Sequence, residues 1–397
     1  MSGVDTAVQD ARKVAERIGR RLTSVGLVVA AGGTGGHLVP ALAVAQAWAA
    51  RGRPVLVFTD SRGAQIPLPA DTIKRVVIEG SALTGGVDRK LITAVKLARA
   101  LGRAHGVLDR ADPAAVAAFG GYPVLPLLTA ARLRGLPIVL HEQNAVLGRV
   151  NRLFAGQADA LALSYEQTAR LTKTRARLVL TGNPCRQAVH DAATQAYSPP
   201  SAPEGPVRLL VVGGSQGARI LSDVVPDAVA LLPPGVRRRL RIVQQCRPED
   251  LERVRRRYHD AEVTPKLSSF MTDLPRHMAE AHLVIGRAGG STISELLLIG
   301  RPAILVPLAI ATDDHQAANA APLVKAGAAW SLTETRFTPQ ELAKLLQKLI
   351  ASPDMLARAA AAAKALATPR ARDAIVDLIE EMLPASARRA LKREDAA

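Results

Sequence analysis

The stretch Gly32-Gly33-Thr34-Gly35-Gly36-His37 decides the predicted fold, because a similar stretch returns about halfway along the chain. It follows an apolar run, residues 25–31, and precedes a helical pattern over residues 40–50. The second stretch, Gly213-Gly214-Ser215-Gln216-Gly217-Ala218, also lies between an apolar run and a helical pattern. Each is typical of a buried strand, a glycine-rich turn and a helix. Two such units predict an α/β protein with two doubly wound domains facing each other across a cleft.

Both turns have the chemistry of an anion-binding site. Glycine allows the backbone to take positive φ and lets an anionic ligand come close to it. The helix that follows offers unpaired N–H groups and the positive end of its dipole to a phosphate or carboxylate.

Strand and helix patterns alternate along the chain, which is typical of parallel sheets covered on both faces. Proline-rich residues 191–206 indicate an interdomain linker. We expect a basic helical extension over residues 1–23, Rossmann-like domains over 24–190 and 207–368, and C-terminal helices over 369–397 that pack back towards the first domain. The predicted strands are residues 25–31, 54–59, 73–78, 115–119, 137–140, 158–163, 177–180, 207–212, 240–245, 282–285, 302–306 and 328–332.

Composition excludes several classes of protein. With 397 residues, 48% hydrophobic and 22% charged, the chain has the length and composition of two or three globular domains. Cys185 and Cys246 lie far apart without a CxxC pair, which disfavours a disulfide scaffold or a zinc site and indicates a reducing compartment. Residues 4–21 lack the apolar core of a secretory signal, and the uncharged run 113–131 is interrupted by proline and glycine. No segment is therefore predicted to span a membrane.

The net charge of +17 indicates an anionic partner such as nucleic acid, acidic lipid or a phosphorylated substrate. Aromatic residues make up only 3% of the chain, and no basic stretch is interleaved with Tyr or Phe as a base-stacking surface requires. We therefore do not expect nucleic acid as the partner.

A basic amphipathic pattern covers residues 88–106. It fits a helix that lies on an anionic membrane surface, and it equally fits a surface helix whose apolar side packs on the core. The residues of the membrane interpretation are Lys90, Leu91, Ile92, Val95, Lys96 and Arg99.

A third glycine-rich turn, residues 287–295, also follows an apolar strand and opens a helix. Its Ser291 and Thr292 hydroxyls can bind a diphosphate, and Arg287 adds a positive charge. Glu295 could accept the two hydroxyls of a ribose. Alternatively, Thr292 and Glu295 form a capping box, in which the carboxylate only satisfies backbone N–H groups.

Three further polar clusters lie at predicted strand ends, where open α/β sheets bind their ligands. The first cluster is His141-Glu142-Gln143-Asn144, and four consecutive polar side chains favour a functional role. The second cluster is residues 182–186, in which Arg186 could clamp a phosphate or pair with a carboxylate. The third cluster, residues 313–319, suits sugar hydroxyls, although Asp313 or Asp314 could instead cap the next helix.

Taken in order, these turns resemble the MurG family, the peptidoglycan transferases that move N-acetylglucosamine from UDP onto lipid I. The resemblance runs from Gly32 to Asn319 and implies a GT-B fold of two Rossmann-like domains. It also implies a peripheral protein on the cytoplasmic face of the bacterial inner membrane, acting in cell-wall biogenesis, cell shape and division, with other cell-wall synthesis proteins open as partners. The motifs, as they stand here, are GGTGGH, FGGYP, HEQN, GNPxR, GGSQGA, RxGGST-x-SE and DHQ-x-x-N.

The resemblance implies roles for individual residues. The second domain would hold UDP-N-acetylglucosamine: Met271 would bind uracil through its backbone, Glu295 the ribose, and Gln316 and Asn319 the sugar. The first domain would receive the lipid I diphosphate at residues 33–37, and residues 88–106 would be its membrane patch. The donor-binding set is Thr34, Gly35, Gly36, Asn144, Arg186, Ser215, Gln216, Met271, Arg287, Gly290, Ser291, Thr292, Glu295, Gln316 and Asn319; the acceptor set is Gly33, Gly35, His37, Tyr122 and Asn144.

The implied transfer inverts the anomeric carbon and forms β1,4-linked lipid II. It needs a base for the acceptor hydroxyl, for which we favour His37, just before the helix predicted near Pro40, with Glu142 as the alternative. We expect no metal and no other cofactor, since helix dipoles, turn N–H groups and Arg287 can hold the diphosphate charge.

Three features differ from the family pattern: Val39 stands where many members have an aromatic residue, residues 80–86 lack the usual basic loop, and the N-terminal extension is long. Other GT-B enzymes that use UDP-N-acetylglucosamine, a glycolipid transferase or a 2-epimerase, remain alternatives, as does a basic nucleic-acid-binding protein. A dinucleotide-dependent oxidoreductase fits less well, because Asp60 lies too far along the chain to bind the ribose.

Overall fold

A computed structural model describes residues 26–78, 90–201, 204–214 and 217–394. The chain forms two compact units: unit 1 comprises Met1–Arg186 and Arg370–Ala397, and unit 2 comprises Gln187–Pro369. The predicted N-terminal extension, residues 80–86, Ser215 and Gln216 lie outside the described residues.

Unit 1 contains a parallel sheet of seven strands in the order β3-β2-β1-β4-β5-β6-β7. Its central strands are apolar and buried on both faces, as expected of a sheet covered by helices. The strands are β1 (Leu27–Ala30), β2 (Val55–Asp60), β3 (Lys74–Ile78), β4 (Ala115–Ala118), β5 (Ile138–Glu142), β6 (Ala160–Leu163) and β7 (Arg177–Leu180).

Helices cover both faces of this sheet. Trp48, Ile375 and Ile379 pack on one face, while Val107 and Leu128 pack on the other. The helices of unit 1 are α1 (Gly35–Ala50), α2 (Lys90–Ala111), α3 (Leu125–Leu133), α4 (Arg149–Phe154), α14 (Ala371–Met382) and α15 (Ala385–Glu394), with 3-10 turns at Gly63–Gln65 and Tyr122–Val124.

Unit 2 contains a parallel sheet of six strands in the order β10-β9-β8-β11-β12-β13. The strands are β8 (Val207–Val212), β9 (Leu240–Gln245), β10 (Lys266–Ser268), β11 (Leu283–Gly286), β12 (Ala303–Leu305) and β13 (Ala329–Ser331). The helices are α5 (Gln187–Ala192), α6 (Arg219–Ala230), α7 (Pro234–Arg239), α8 (Leu251–Asp260), α9 (Leu274–Glu280), α10 (Gly290–Ile299), α11 (His315–Lys325), α12 (Pro339–Ile350) and α13 (Pro353–Ala365), with 3-10 turns at Pro248–Asp250 and Thr312–Asp314.

The two parallel sheets confirm the predicted class of two Rossmann-like doubly wound units. Twelve of the thirteen strands in the described chain fall on predicted apolar runs. The exception is β10, because Lys266–Ser268 is a three-residue edge strand with no buried residue and therefore no apolar run.

The segment predicted as a linker belongs to unit 2. Helix α5 packs on α9 and α10. The hydroxyl of Tyr197 donates to the carbonyl of His282 (2.9 Å), and the guanidinium of Arg301 donates to the carbonyl of Gln195 (3.1 Å). The division between the units therefore falls after Arg186 rather than near residue 190.

Helix α14 returns to unit 1 and packs on α1. Two arginines near the end of α1, Arg51 and Arg53, both bind the carboxylate of Glu380. Arg51 also pairs with Asp377 at 2.8 Å. The Arg53 side chain is only 3% exposed, so this contact includes a buried charge.

No helix in the described ranges is both long and apolar enough to cross a bilayer. The basic amphipathic segment predicted at residues 88–106 falls mostly in α2, where Arg99 is exposed. The side chains of Lys90, Leu91, Ile92, Val95 and Lys96 lie outside the described part of the chain.

We expect Glu380→Gln to lower the free energy of unfolding of unit 1 by about 2–3 kcal/mol, because it removes a carboxylate from a buried guanidinium. The matched control is Glu381→Gln on the same helix, whose pair with Arg177 is half exposed (51% and 55%). That change should cost less than about 0.5 kcal/mol. Urea unfolding followed by Trp48 fluorescence, in a Trp330→Phe background, measures both. Equal losses in the two variants would contradict the prediction.

Candidate active site

The glycine-rich turn after β1 opens directly into helix α1. The helix begins at Gly35 rather than near Pro40, with Thr34 as its N-cap in an extended conformation (φ −88°, ψ 144°). His37 therefore lies in the first turn of α1 and not before it. The hydroxyl of Thr34 lies 2.8 Å from Nδ1 of His37, which fixes the orientation of the ring.

A second glycine pair, after β4, packs against this turn. The N–H of Gly32 donates to the carbonyl of Gly120 (2.9 Å). Gly120 has a φ of +88°, and a Cβ added there would lie 3.3 Å from Nε2 of His37. Because the strand order reverses between β1 and β4, these turns mark the ligand-binding crevice of the sheet. Tyr122, 50% exposed, follows this glycine pair.

Gly33 lies in a space that no side chain could enter. A Cβ at this position would overlap Oδ1 of Asp60 and the backbone nitrogen of Gly63. The Asp60 carboxylate accepts hydrogen bonds from the N–H of Gly63 (3.0 Å) and from Arg62 (2.9 Å). The Asp60 carboxylate therefore stabilises the loop that follows β2. It is not left to bind a ribose, as a dinucleotide-dependent oxidoreductase would require.

Glu142, at the end of β5, organises the loop that follows. It is 2% exposed, and its two oxygens accept four hydrogen bonds. The donors are the N–H (3.0 Å) and side-chain amide (3.1 Å) of Asn144, the N–H of Gly148 (2.8 Å) and the side-chain amide of Asn151 (2.8 Å). The pKa of Glu142 is raised from its ordinary value, because the effect of burial outweighs that of these four bonds, which lower the pKa. This geometry gives Glu142 the role of holding the half-buried Asn144 in place.

His141 is a buried neutral imidazole. Its Nε2 lies 3.0 Å from the carbonyl of Gly182, and its Nδ1 lies 2.9 Å from the side-chain amide of Gln143. The amide nitrogen of Gln143 can only donate, so Nδ1 accepts and we assign the ring proton to Nε2, which donates to the carbonyl of Gly182. Burial lowers the pKa of His141 to about 4. The ring thus joins the ends of β5 and β7. Arg186, four residues beyond Gly182 in the sequence, is half-buried.

The glycine turn after β8 is the corresponding feature of unit 2. Gly214 and Gly217 have φ values of +81° and +67°, and helix α6 begins two residues later, at Arg219. The N–H of Gly213 donates to the side-chain oxygen of Gln245 (3.2 Å), which ties the turn to β9. The predicted donor residues Ser215 and Gln216 lie outside the described residues.

The third turn opens helix α10 at Gly290, with Gly289 as the N-cap. This start rules out the capping-box interpretation, because Thr292 is already the third residue of the helix. Ser291 and Thr292 are half-buried in the first turn, while Glu295 is only 6% exposed. The strand order reverses between β8 and β11, so this turn and the Gly213 turn flank the crevice of unit 2.

Arg287 is an ion-paired residue rather than a lone positive charge. Its guanidinium lies 2.6 Å from a carboxylate oxygen of Glu334 and donates to the carbonyl of Val306 (3.1 Å). The side chain is 11% exposed. Arg287 therefore ties the ends of β11 and β12 to the loop after β13, and Glu334 balances its charge.

The two predicted sugar ligands differ in position. Gln316 is half-buried, and its side-chain oxygen accepts the N–H of Leu308 (3.0 Å). Asn319 is 0% exposed and donates to the carbonyl of Ala288 (3.1 Å). Asn319 is therefore too deeply buried to touch a sugar in this conformation and instead positions the turn before α10. Asp314 occupies the N-cap of α11 without a side-chain cap, and both it and Asp313 have positive φ.

Met271 is half-buried and follows the exposed Phe270, shortly after β10. Sequence reasoning missed Asn151 and Glu334, which hold Glu142 and Arg287 respectively. Neither lies in a motif, and each reaches its partner only through the fold.

Comparisons with known proteins agree with this architecture. The glycosyltransferase family 28 N-terminal domain matches residues 27–163, and the C-terminal domain of that family matches residues 208–378. The chain is 48% identical over 356 residues to the UDP-N-acetylglucosamine–N-acetylmuramyl-(pentapeptide) pyrophosphoryl-undecaprenol N-acetylglucosamine transferase of Erythrobacter litoralis, covering 89% of each chain. It is 46% identical to the enzyme of the same name from Zymomonas mobilis, covering 89% of this chain and 92% of that one.

Among solved structures, the crystal structure of Acinetobacter baumannii MurG matches with a TM-score of 0.70 and 30% identity. The match covers 90% of this chain and 99% of that one.

We expect the stability of unit 1 to fall as the pH drops below about 6.5, the ordinary pKa of histidine. Below that pH His141 binds a proton in the unfolded chain, whereas the buried His141 of the folded chain stays unprotonated. Between about 6.5 and the folded pKa of about 4, this residue should cost ~1.4 kcal/mol per pH unit. Urea unfolding of the wild type and of His141→Gln from pH 7 to 5 measures the slope. The control is His259→Gln, which removes an 89% exposed imidazole and should keep the wild-type slope. An unchanged slope in His141→Gln would refute the assignment.

Proposed function

The chain belongs to the family of UDP-N-acetylglucosamine–N-acetylmuramyl-(pentapeptide) pyrophosphoryl-undecaprenol N-acetylglucosamine transferases, the MurG family, and on that premise we propose that it makes lipid II. It moves N-acetylglucosamine from UDP to the C4 hydroxyl of the N-acetylmuramyl group of lipid I, forming a β1,4 linkage. The observation that carries this function is the 48% identity over 356 residues to a transferase of that name.

Unit 1 takes the acceptor in this proposal. The N–H groups of Gly35 and Gly36 open α1 and offer a positive dipole end to the lipid I diphosphate. Gly36 is exposed, and a Cβ there would meet nothing within 4 Å. Tyr122 and Asn144 line the same edge of the sheet, after β4 and β5.

Unit 2 takes the donor. The diphosphate lies at the start of α10, where Ser291 and Thr292 present hydroxyls beside the first-turn N–H groups. Met271 binds uracil through its backbone, Glu295 binds the ribose, and Gln316 binds the sugar. Asn319 and Arg287 support these contacts by holding the turn and the strand ends.

The reaction is one displacement at the anomeric carbon. The acceptor oxygen forms its bond to C1 as the bond from C1 to the phosphate oxygen breaks, and the configuration inverts. His37 accepts the hydroxyl proton, and UDP leaves with the negative charge. The contact with Thr34 and the packing on Gly120 support His37 as the base, because they hold the ring in one orientation.

No metal enters this mechanism. Turn N–H groups and helix dipoles stabilise the departing diphosphate instead. Activity that persists in EDTA is the test of metal independence.

The protein works at the cytoplasmic face of the inner membrane in this proposal, since its acceptor is a lipid. The charge of +17 and the basic sequence of α2 support association with an anionic surface. Nucleic acid has no role in the proposal.

Radiolabelled UDP-N-acetylglucosamine and a short-chain lipid I analogue, incubated with the protein and EDTA, should give a labelled β1,4 disaccharide lipid. UDP-N-acetylgalactosamine should give little product. Hydrolysis or epimerisation of the donor without a disaccharide lipid would contradict the proposed function. Activity that appears only when a divalent metal is restored would contradict metal independence alone.

His37→Ala and Glu142→Gln separate the two candidate bases. We expect His37→Ala to lower kcat by about 100-fold or more with little change in UDP affinity or melting temperature. Glu142→Gln should lower the free energy of unfolding by about 2 kcal/mol, because an amide cannot accept all four hydrogen bonds. Turnover of His37→Ala within a few-fold of wild type, or a loss of kcat in Glu142→Gln at unchanged stability, would move the base to Glu142.

A further inference from the structure

A UDP donor brings a doubly charged diphosphate to unit 2, and more negative charge develops on it as the sugar leaves. The sequence assigned the compensating cation to Arg287, but Glu334 already balances that charge. Another cation at the same edge of the sheet could take this role.

Four arginines follow strands at the carboxyl edge of the sheet in the described part of unit 2: Arg219, Arg247, Arg287 and Arg336. Three of them have carboxylate partners. Arg219 lies 3.6 Å from Asp223, Arg287 lies 2.6 Å from Glu334, and Arg336 lies 3.6 Å from Glu341. For Arg247 there is no carboxylate within 4 Å among the described residues.

Arg247 lies directly against the glycine turn after β8. It follows β9, and the N–H of Cys246 donates to the carbonyl of Ser268 (3.0 Å), which fixes the chain there. A Cβ added to Gly217 would lie 2.9 Å from Cγ of Arg247. The side chain of Arg247 therefore packs against Gly217, at a position where a larger residue would leave too little room for it.

The guanidinium also carries an unsatisfied donor. Nε of Arg247 is buried and has no hydrogen-bond partner among the described residues. A buried donor without a partner destabilises the protein, and an anion bound beside the turn would supply the missing acceptor. Arg247 thus combines three features: it lies beside a glycine turn, it has no carboxylate partner among the described residues, and one of its N–H groups is unsatisfied.

We propose that Arg247 binds the diphosphate of the UDP donor and stabilises the charge on departing UDP, the role that sequence analysis gave to Arg287. This inference rests on the proposed function, because it takes the donor to be a UDP-sugar. A guanidinium can donate two parallel hydrogen bonds to phosphate oxygens, and such charge-assisted bonds are among the stronger ones in proteins.

Calorimetric titration of the full-length protein with UDP and with uridine tests the proposal, because only UDP carries the phosphates. Arg247→Gln should weaken UDP binding by about tenfold or more and leave uridine binding within about twofold. Arg247→Lys, which keeps the charge but loses the paired donors, should fall between wild type and Arg247→Gln. The matched control is Arg336→Gln, which removes the same charge from the edge of the sheet and should change neither affinity.

The outcomes are distinct. Wild-type UDP affinity in Arg247→Gln overturns the role of Arg247 and leaves the proposed function intact. An equal loss for UDP and uridine overturns it as well, since it means that the substitution deformed the turn. An equal loss of UDP affinity in Arg336→Gln assigns the effect to overall charge and also overturns it. Failure of the wild type to bind UDP removes the proposed function itself.

Discussion

Unit 1 depends on two chain turns that approach each other more closely than side chains allow. A Cβ on Gly121 would lie 2.8 Å from Cα of Gly32, so glycine is required where the turn after β4 meets the turn after β1. This approach brings the start of α1 next to the ends of the two central strands. The orientation of His37 follows from it, since the ring packs on Gly120 and bonds to Thr34. The packing of backbone against backbone thus determines where the His37 side chain lies.

Two neighbouring residues at the end of β5 show how burial separates chemical roles. His141 and Glu142 are both almost completely buried, yet the first is an uncharged imidazole and the second holds four hydrogen-bond donors. Both join strand ends and loops. Polar residues at a strand end therefore do not all bind a ligand. In the cluster of residues 141–144, the first three residues are buried and only Asn144 is partly exposed.

The sequence predicted the strands and the glycine turns because both are local signals: apolar runs of strand length, and glycine followed by a helical pattern. It did not predict what depends on distant residues. Arg287 and Glu334 are 47 positions apart in the sequence. They meet because β11, β12 and β13 lie side by side in the sheet. The start of α1 was also missed, since glycines at a helix N-terminus give no periodic signal. The edge strand β10 lacked an apolar pattern for the same physical reason that it is exposed.

The return of α14 to unit 1 has a consequence for how the protein is made. Ile375, Ile379 and Leu383 complete the core of unit 1, yet they follow all of unit 2 in the chain. A ribosome therefore releases every residue of unit 2 before it releases those that unit 1 still needs. Domains usually fold in order of synthesis, N-terminal first. Here unit 1 is synthesised first but completes its core last. Until then the face of its sheet that receives α14 is exposed to other proteins, including chaperones.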